Sequence, residues 1–342
     1  MRTAKRGSQI YSLLVKYSTQ NTSWVAERLK GMPSKIHQQL SSGDKELEEC
    51  SKYLFDGRGK AIRPTITLLM AGACSYHCAG SCKISPAQET LAMVTEMIHT
   101  ASMAHDDVID QASIRRGKPA MSEIWDRKKT ILAGDFILSR GSMALAQIRN
   151  TRVVELLSTV IDNLVHGELM QLESCRDEQG RFNHYLQKTF MKTASLMAYS
   201  CQAAATLASE DDDDLHQIAY HYGENVGMAF QLIDDLLDFK STSKDTGKPT
   251  AVDLRLGLAT APVLFAAKQY PELNELIDRH FTRTGDVEMA QDIVHRSDGL
   301  TLTHQLADEH CSKAVDYIQK ITTSPEQLEL IKITQDILHR NK

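Results

Sequence analysis

No run in this 342-residue chain approaches the roughly 20 consecutive apolar residues needed to span a bilayer as a helix. Glycine (18) and proline (8) are sparse, and no Asn-Gly or Asp-Gly pair sits between alternating apolar runs, which argues against an architecture of hairpins. Paired Cys-x-x-Cys spacings are missing too. The seven cysteines, at 50, 74, 78, 82, 175, 201 and 311, are scattered and odd in number, so they read as reduced thiols rather than a disulfide framework. Cys74, Cys78 and Cys82, with His77 among them, lack the spacing of a zinc module. Nor is there a basic excess: the net charge is −5, which gives no electrostatic reason to expect nucleic acid as a partner. A polyanionic substrate would need metal ions or local basic clusters to receive it. Acidic residues are absent ahead of Glu27, whereas Arg2, Lys5, Arg6 and Lys16 stand among serines, threonines and tyrosines. That composition is expected of a mitochondrial transit segment, here residues 1–25.

What the chain does contain is enough apolar sequence for a core, 42% hydrophobic against 24% charged. Its arrangement is helical. Residues 86–110 place Leu91, Val94, Ile98 and Val108 among polar residues, after the helix-starting pair Ser85-Pro86. Residues 120–148, 151–173, 182–208, 214–240 and 301–319 carry the same three-to-four spacing of Leu, Ile, Val, Met and Ala. The run EDDDD at 210–214 reads as a solvated loop whose last acids favour the start of the next helix. The expected architecture is a single all-α domain over 26–342, with about ten to thirteen helices.

Two acidic motifs stand out. AHDDVIDQASIRRGK (104–118) crowds Asp106, Asp107 and Asp110 into five residues, and FQLIDDLLDFKSTSKDTGKP (230–249) repeats the spacing at Asp234, Asp235 and Asp238. On a helix the first and last members of each set lie about 40° apart and the second about 100° from the first, so the three carboxylates share one arc. One such cluster is explained by a solvated helix face; two, each embedded in apolar sequence, are not. Carboxylates this close repel one another and lose hydration where partly buried, so a cation is expected between them. Mg²⁺ suits the setting, because it takes oxygen ligands, keeps some waters, and is commonly held by one or two carboxylates together with substrate phosphates. Two clusters on opposed helices, bridged through Mg²⁺ to a diphosphate, would balance the charge on both sides.

The cations agree with this. Arg115 and Arg116 follow the first cluster, Lys248 follows the second, and DGRGKAIRP (56–64) sets Lys60 and Arg63 three apart after a glycine-rich entry. Arginine forks match phosphate oxygens and lysine supplies a point charge. The glycine-lysine element is not a P-loop, since the full Gly-x-x-x-x-Gly-Lys-Ser/Thr pattern is missing. Each pair alone is ordinary surface charge; beside two metal clusters they suggest a second diphosphate-binding patch. His99, seven residues before Asp106, falls about 20° from it on the helical wheel. A hydrogen-bonded core histidine is the alternative.

With these motifs the chain resembles the trans-type polyprenyl diphosphate synthases, and among them the long-chain solanesyl and decaprenyl branch, from about residue 44 to the C-terminus. The resemblance implies an isoprenoid synthase fold, one large helical bundle around a deep apolar cavity. It implies Mg²⁺ on all six aspartates, and isopentenyl diphosphate on Lys60, Arg63, His99 and Arg116. Arg115, Lys192 and Lys248 would face an allylic diphosphate, with Thr193 and Gln231 beside the reacting carbons. The implied reaction is ionisation, condensation and elimination, and no side chain stands out as the base.

Ala101 and Ser102 occupy places where the family's short-chain members carry bulk, which implies an open tunnel and a long product. On an ideal wheel Ser102 and Thr95 lie below the carboxylates while Ala101 points away, so Ala101 rests on the resemblance alone. The family's members are homodimers or heteromers with a divergent subunit, and the sequence does not choose between them. A mitochondrial member would make the side-chain precursor of ubiquinone and release it near a membrane surface. Rival readings fit less of the chain. A terpene cyclase shares the first cluster and the all-α build but binds one diphosphate and has no need of Lys60, Arg63 and a second full aspartate set. A metallophosphohydrolase is suggested by His105-Asp106, but the second cluster brings no histidine pair. A non-catalytic subunit would show degraded aspartates, and none is degraded.

Overall fold

The helix expected from Ser85-Pro86 begins there. In a computed structural model, which describes residues 22–57, 59–115, 117–172, 180–240 and 251–340, the Ser85 hydroxyl accepts from the Gln88 N–H while the Gln88 side chain accepts from the Ser85 N–H. This reciprocal cap, with Pro86 in the first turn, contributes about 1 kcal/mol. Chain order runs α1 (Ser23–Gln39), α2 (Lys45–Lys52), α3 (Ile62–Ala79) and α4 (Pro86–Ile109), then a ribbon of β1 (Ile114–Arg115) paired antiparallel with β2 (Lys118–Pro119). Next come α5 (Met121–Trp125), α6 (Arg127–Gln147), α7 (Thr151–Leu172), α8 (Arg181–Thr189), a π-helical turn (Phe190–Ala194), α9 (Ser195–Thr206) and α10 (Asp213–Lys240). The remainder is α11 (Val252–Arg255), α12 (Ala261–Gln269), α13 (Leu273–Asp278), α14 (Asp286–Arg296), α15 (Gly299–Ile318) and α16 (Pro325–Leu338). The all-α expectation holds. Of the leader expected at 1–25, residues 1–21 lie outside the described residues and 23–25 open α1.

Two expected helices are interrupted. The 120–148 segment breaks at Asp126, whose backbone sits at φ 73 and whose side chain caps α6 by accepting from the Lys129 N–H. The 182–208 segment widens into the π turn, closed by the Ser195 N–H on the Phe190 carbonyl. EDDDD behaves as expected, with Asp212 accepting from the Leu215 N–H and Asp213 and Asp214 in the first turn of α10.

By contacts the described chain falls into two compact units, one of residues up to 161 with 196–220 and 317–332, the other of 162–195, 221–316 and 333–340. In the first, α4 packs on α3 and α6 and buries Leu91, Val94 and Met97 with Leu68, Leu69 and Ile137. In the second, Phe239, Leu254, Val263, Leu273, Leu276, Ile293 and Val294 close a core around the C-terminal end of α10. No helix among the described residues is long and apolar enough to cross a membrane.

The second unit also carries a pH-dependent element. His310 Nδ1 on α15 lies 2.8 Å from the Asn225 amide oxygen, and burial, with Lys313 nearby, lowers its pKa from 6.5 to about 4. The folded state thus resists a proton that the unfolded chain accepts. Stability is full above about pH 6.5 and declines as pH falls towards 4, by up to about 3 kcal/mol. Thermal unfolding across that window is expected to show the decline in the wild type and a flatter profile in His310→Gln.

Candidate active site

The last turn of α4 delivers the first aspartate set. Asp106 is half-buried, Asp107 is buried, and Asp110 is the C-terminal cap of the helix, its N–H on the Asp106 carbonyl at 2.8 Å. The ribbon then turns back so that Arg115 Nε donates to Asp107 Oδ1 at 2.7 Å, with a terminal guanidinium nitrogen on the same oxygen. The other oxygen, Oδ2, is buried with no hydrogen-bond partner among the described residues. Lys118 anchors the ribbon by donating to the Tyr53 carbonyl and to Asp56 at 2.8 Å, and the Tyr53 hydroxyl donates to the Pro119 carbonyl. Arg116 lies outside the described residues.

In the same unit, Arg63 in the first turn of α3 reaches His99 on α4, Nη1 to Nε2 at 3.1 Å, so this expected pair does meet. Lys60 is exposed and lines a cavity of about 290 Å³ with Leu29, Pro33, Phe55 and Glu96. Ala101 is buried, and half-buried Ser102 donates to the His99 carbonyl. Thr95 is buried and shares a hydrogen bond of 3.0 Å with Ser200. His105 Nε2 is spent on the Ile131 carbonyl at 3.2 Å.

The second unit builds its site around the π turn, which carries Lys192 and Thr193. Two glycines let neighbouring backbones approach it. A Cβ at Gly227 on α10 would sit 2.5 Å from the Ala194 Cα, and one at Gly167 on α7 would sit 3.0 Å from the Lys192 nitrogen. Thr193 donates to Gln231 Oε1 at 2.9 Å, Gln231 donates to Asp235 Oδ1 at 2.9 Å, and the Tyr185 hydroxyl donates to Asp235 Oδ2 at 2.6 Å. Lys192 donates to Gln171 at 3.2 Å and pairs with Glu168. Burial pushes Asp235 up to about 6 even with Tyr185 and Gln231 on it.

The other members of the second set have different surroundings. Asp234 pairs with Arg340 at 3.1 Å. Asp238 accepts from the Val252 and Asp253 N–H groups, so part of its charge caps the start of α11. Lys248 lies outside the described residues. A small cavity of about 120 Å³ collects Lys188, Lys192, Thr193, Asp235, Asp253 and Thr260.

Sequence reasoning missed four residues here. Tyr185 and Lys188 share a face with Lys192, at i, i+3 and i+7, within an arc of about 60°, a signal that could have found them. Asp253 and Thr260 carry no local signal, since tertiary folding brings them to Asp235. Desolvation, with Asp235 and Asp238 beside it, pushes Asp253 up to about 7.

Among the described residues no three His, Cys, Asp or Glu side chains are gathered closely enough to hold a metal by themselves. Mg²⁺ does not require that, because substrate phosphates and waters complete its shell. The orphaned Asp107 oxygen in the first unit, and Asp235 and Asp253 in the second, their pKa raised by burial and in Asp253 also by neighbouring carboxylates, are each oxygen groups of the kind a hard divalent cation takes. This all-α chain thus presents carboxylates in two repeated motifs with basic groups beside each in sequence, the groups that a divalent cation and a diphosphate would meet.

The chain belongs to the polyprenyl synthetase family, whose sequence model matches residues 44–294. It is 52% identical over 314 residues to the human all-trans-polyprenyl-diphosphate synthase PDSS1, covering 92% of this chain and 75% of that one. A rice protein, mitochondrial solanesyl-diphosphate synthase 1, is 40% identical (93% and 78% covered), and decaprenyl-diphosphate synthase subunit 1 of Schizosaccharomyces pombe 39% (98% and 96%). Among solved structures, a polyprenyl synthase from Caulobacter crescentus complexed with calcium and isoprenyl diphosphate superimposes with a TM-score of 0.83 at 26% identity, covering 96% of this chain and 98% of that one. The fold is the isoprenoid synthase fold. The activity is that of a prenyltransferase, a long-chain trans-polyprenyl diphosphate synthase.

Proposed function

We propose that the enzyme uses Mg²⁺, held by Asp106, Asp107 and Asp110 and by Asp234, Asp235 and Asp238, to bind an allylic diphosphate and extend it with isopentenyl diphosphate. The observation that supports this best is the buried, unsatisfied oxygen of Asp107 in a motif that the chain repeats. Bound magnesium supplies positive charge to the departing diphosphate, an effect worth several kcal/mol of barrier. The chain's own groups do the rest. Arg115, Lys192 and Lys248 orient the allylic diphosphate, and Lys60, Arg63, His99 and Arg116 orient isopentenyl diphosphate. As the allylic C–O bond breaks, its electron pair stays with the diphosphate. The double bond of isopentenyl diphosphate forms the new C–C bond, and the adduct loses a proton to the departed diphosphate. Thr193 and Gln231, fixed by Asp235, lie against the cationic carbons.

The basic, acid-free N-terminus and the mitochondrial relative support a mitochondrial enzyme that supplies the ubiquinone side chain. Val165, Leu169 and Leu172 leave an apolar stripe of α7 exposed, and Leu132 and Met143 do the same on α6. These faces favour an oligomer with a second copy or a divergent subunit, and the yeast relative's name, subunit 1, favours the latter. Incubation with Mg²⁺, farnesyl diphosphate and labelled isopentenyl diphosphate, with and without a candidate partner, is expected to yield a long prenyl chain. Magnesium-independent product, or a cyclic hydrocarbon from the allylic substrate alone, would refute the reading. In the same assay Ser102→Phe, and Ala101→Phe beside it, shorten the product by one or more isoprene units. An unchanged product ladder on reverse-phase separation would remove these residues from length control.

A further inference from the structure

Lys188 lies one helical turn before Lys192, and its ammonium sits in a costly setting. Burial lowers its pKa below the ordinary lysine value, although Asp235, Asp253 and Glu168 pull the other way. Despite those acids, the ammonium makes no hydrogen bond or ion pair among the described residues. It stands over the Tyr185 ring, 5.6 Å from Nζ to centroid. Two of these acids are engaged elsewhere, Asp235 accepting from Tyr185 and Gln231 and Glu168 pairing with Lys192, while Asp253 shares the cavity wall with Lys188. Lys188 is half-buried, and an ammonium whose donors no protein acceptor fills is open to an anionic ligand.

A second observation points into the same cavity. Thr260 is 5% exposed, and its hydroxyl is buried with no hydrogen-bond partner among the described residues. It lines the cavity of about 120 Å³ together with Lys188 and Lys192. Lys188 also lines an adjoining cavity of about 270 Å³, with Arg181, His184 and His280 on its wall. Two unsatisfied donors, one charged and one neutral, thus meet in a cavity within the second aspartate unit.

We propose that Lys188, assisted by Thr260, binds a phosphate oxygen of the allylic diphosphate and holds it as the leaving group departs. This rests on the diphosphate chemistry proposed above and adds a binding residue that the aspartate motifs do not announce. Once the C–O bond has broken, the diphosphate carries one more negative charge, and the ammonium meets it in a poorly solvated place where a charge-assisted hydrogen bond is strong.

Calorimetric titration of the full chain with inorganic diphosphate in Mg²⁺ tests the assignment, alongside steady-state kinetics. Lys188→Met is expected to weaken diphosphate binding about tenfold or more and to lower kcat/KM for the allylic substrate, with KM for isopentenyl diphosphate unchanged. Lys188→Arg is expected to recover most of the loss, which a purely structural role would not allow. Thr260→Val is expected to weaken binding about threefold, and it carries the test if Lys188→Met does not fold. An active wild type whose Lys188→Met or Thr260→Val variant binds diphosphate and turns over normally overturns this assignment alone. A wild type that neither binds diphosphate nor elongates overturns the underlying function as well.

Discussion

Asp107→Asn leaves a folded protein whose turnover falls by about a hundredfold to a thousandfold, the scale of losing one preorganised electrostatic stabiliser of the transition state. The amide oxygen can still accept from Arg115, as Asp107 Oδ1 does at 2.7 Å, so the ribbon stays docked. What disappears is the negative charge that the proposed metal site would draw on through the buried, unsatisfied Oδ2. The melting temperature is therefore expected to shift by only a few degrees while product formation collapses. Single-turnover assays at saturating Mg²⁺ separate the two effects. Normal turnover in a folded variant would remove Asp107 from the metal site.

Gly227→Ala is expected to act without touching any polar group. The added Cβ would lie 2.5 Å from the Ala194 Cα and 2.7 Å from its Cβ, and backbone cannot rotate out of the way. Relief requires the π turn to move, and with it Lys192 and Thr193. Overpacking of this kind costs about 1–3 kcal/mol, and a displacement of about 1 Å in positioning groups can cost on the order of a hundredfold in rate. The loss should fall on kcat more than on stability. A Cβ added at Gly31 would meet nothing within 4 Å, so that position serves as the control for a harmless Gly→Ala change.

The sequence made the helices legible wherever local chemistry decides them. Ser85-Pro86 starts α4, Asp212 starts α10, and the apolar stripe of Leu91, Val94 and Ile98 is buried. It hid the interruptions. Nothing in the apolar spacing of 182–208 marks the π turn, because the extra residue is accommodated by Gly167 and Gly227 on other helices. The aspartate motifs were visible as spacing, but the wheel makes their members equivalent and the fold does not. Asp235 is buried beneath Tyr185, Asp238 caps α11, and Asp234 faces Arg340. Those differences arise from residues 50 or more positions away, or from short segments whose placement only the packed chain determines.

Sharing of one diphosphate by the two aspartate sets is tested most directly by a double-mutant cycle on binding. The affinity of farnesyl thiodiphosphate, an unreactive analogue, is measured in Mg²⁺ for wild type, Asp107→Asn, Asp234→Asn and the double variant. If both sets grip the same metal-bound diphosphate, the double variant loses far less than the sum of the single losses, a coupling of about 1 kcal/mol or more. Strictly additive losses would mean that the two sets act on separate ligands.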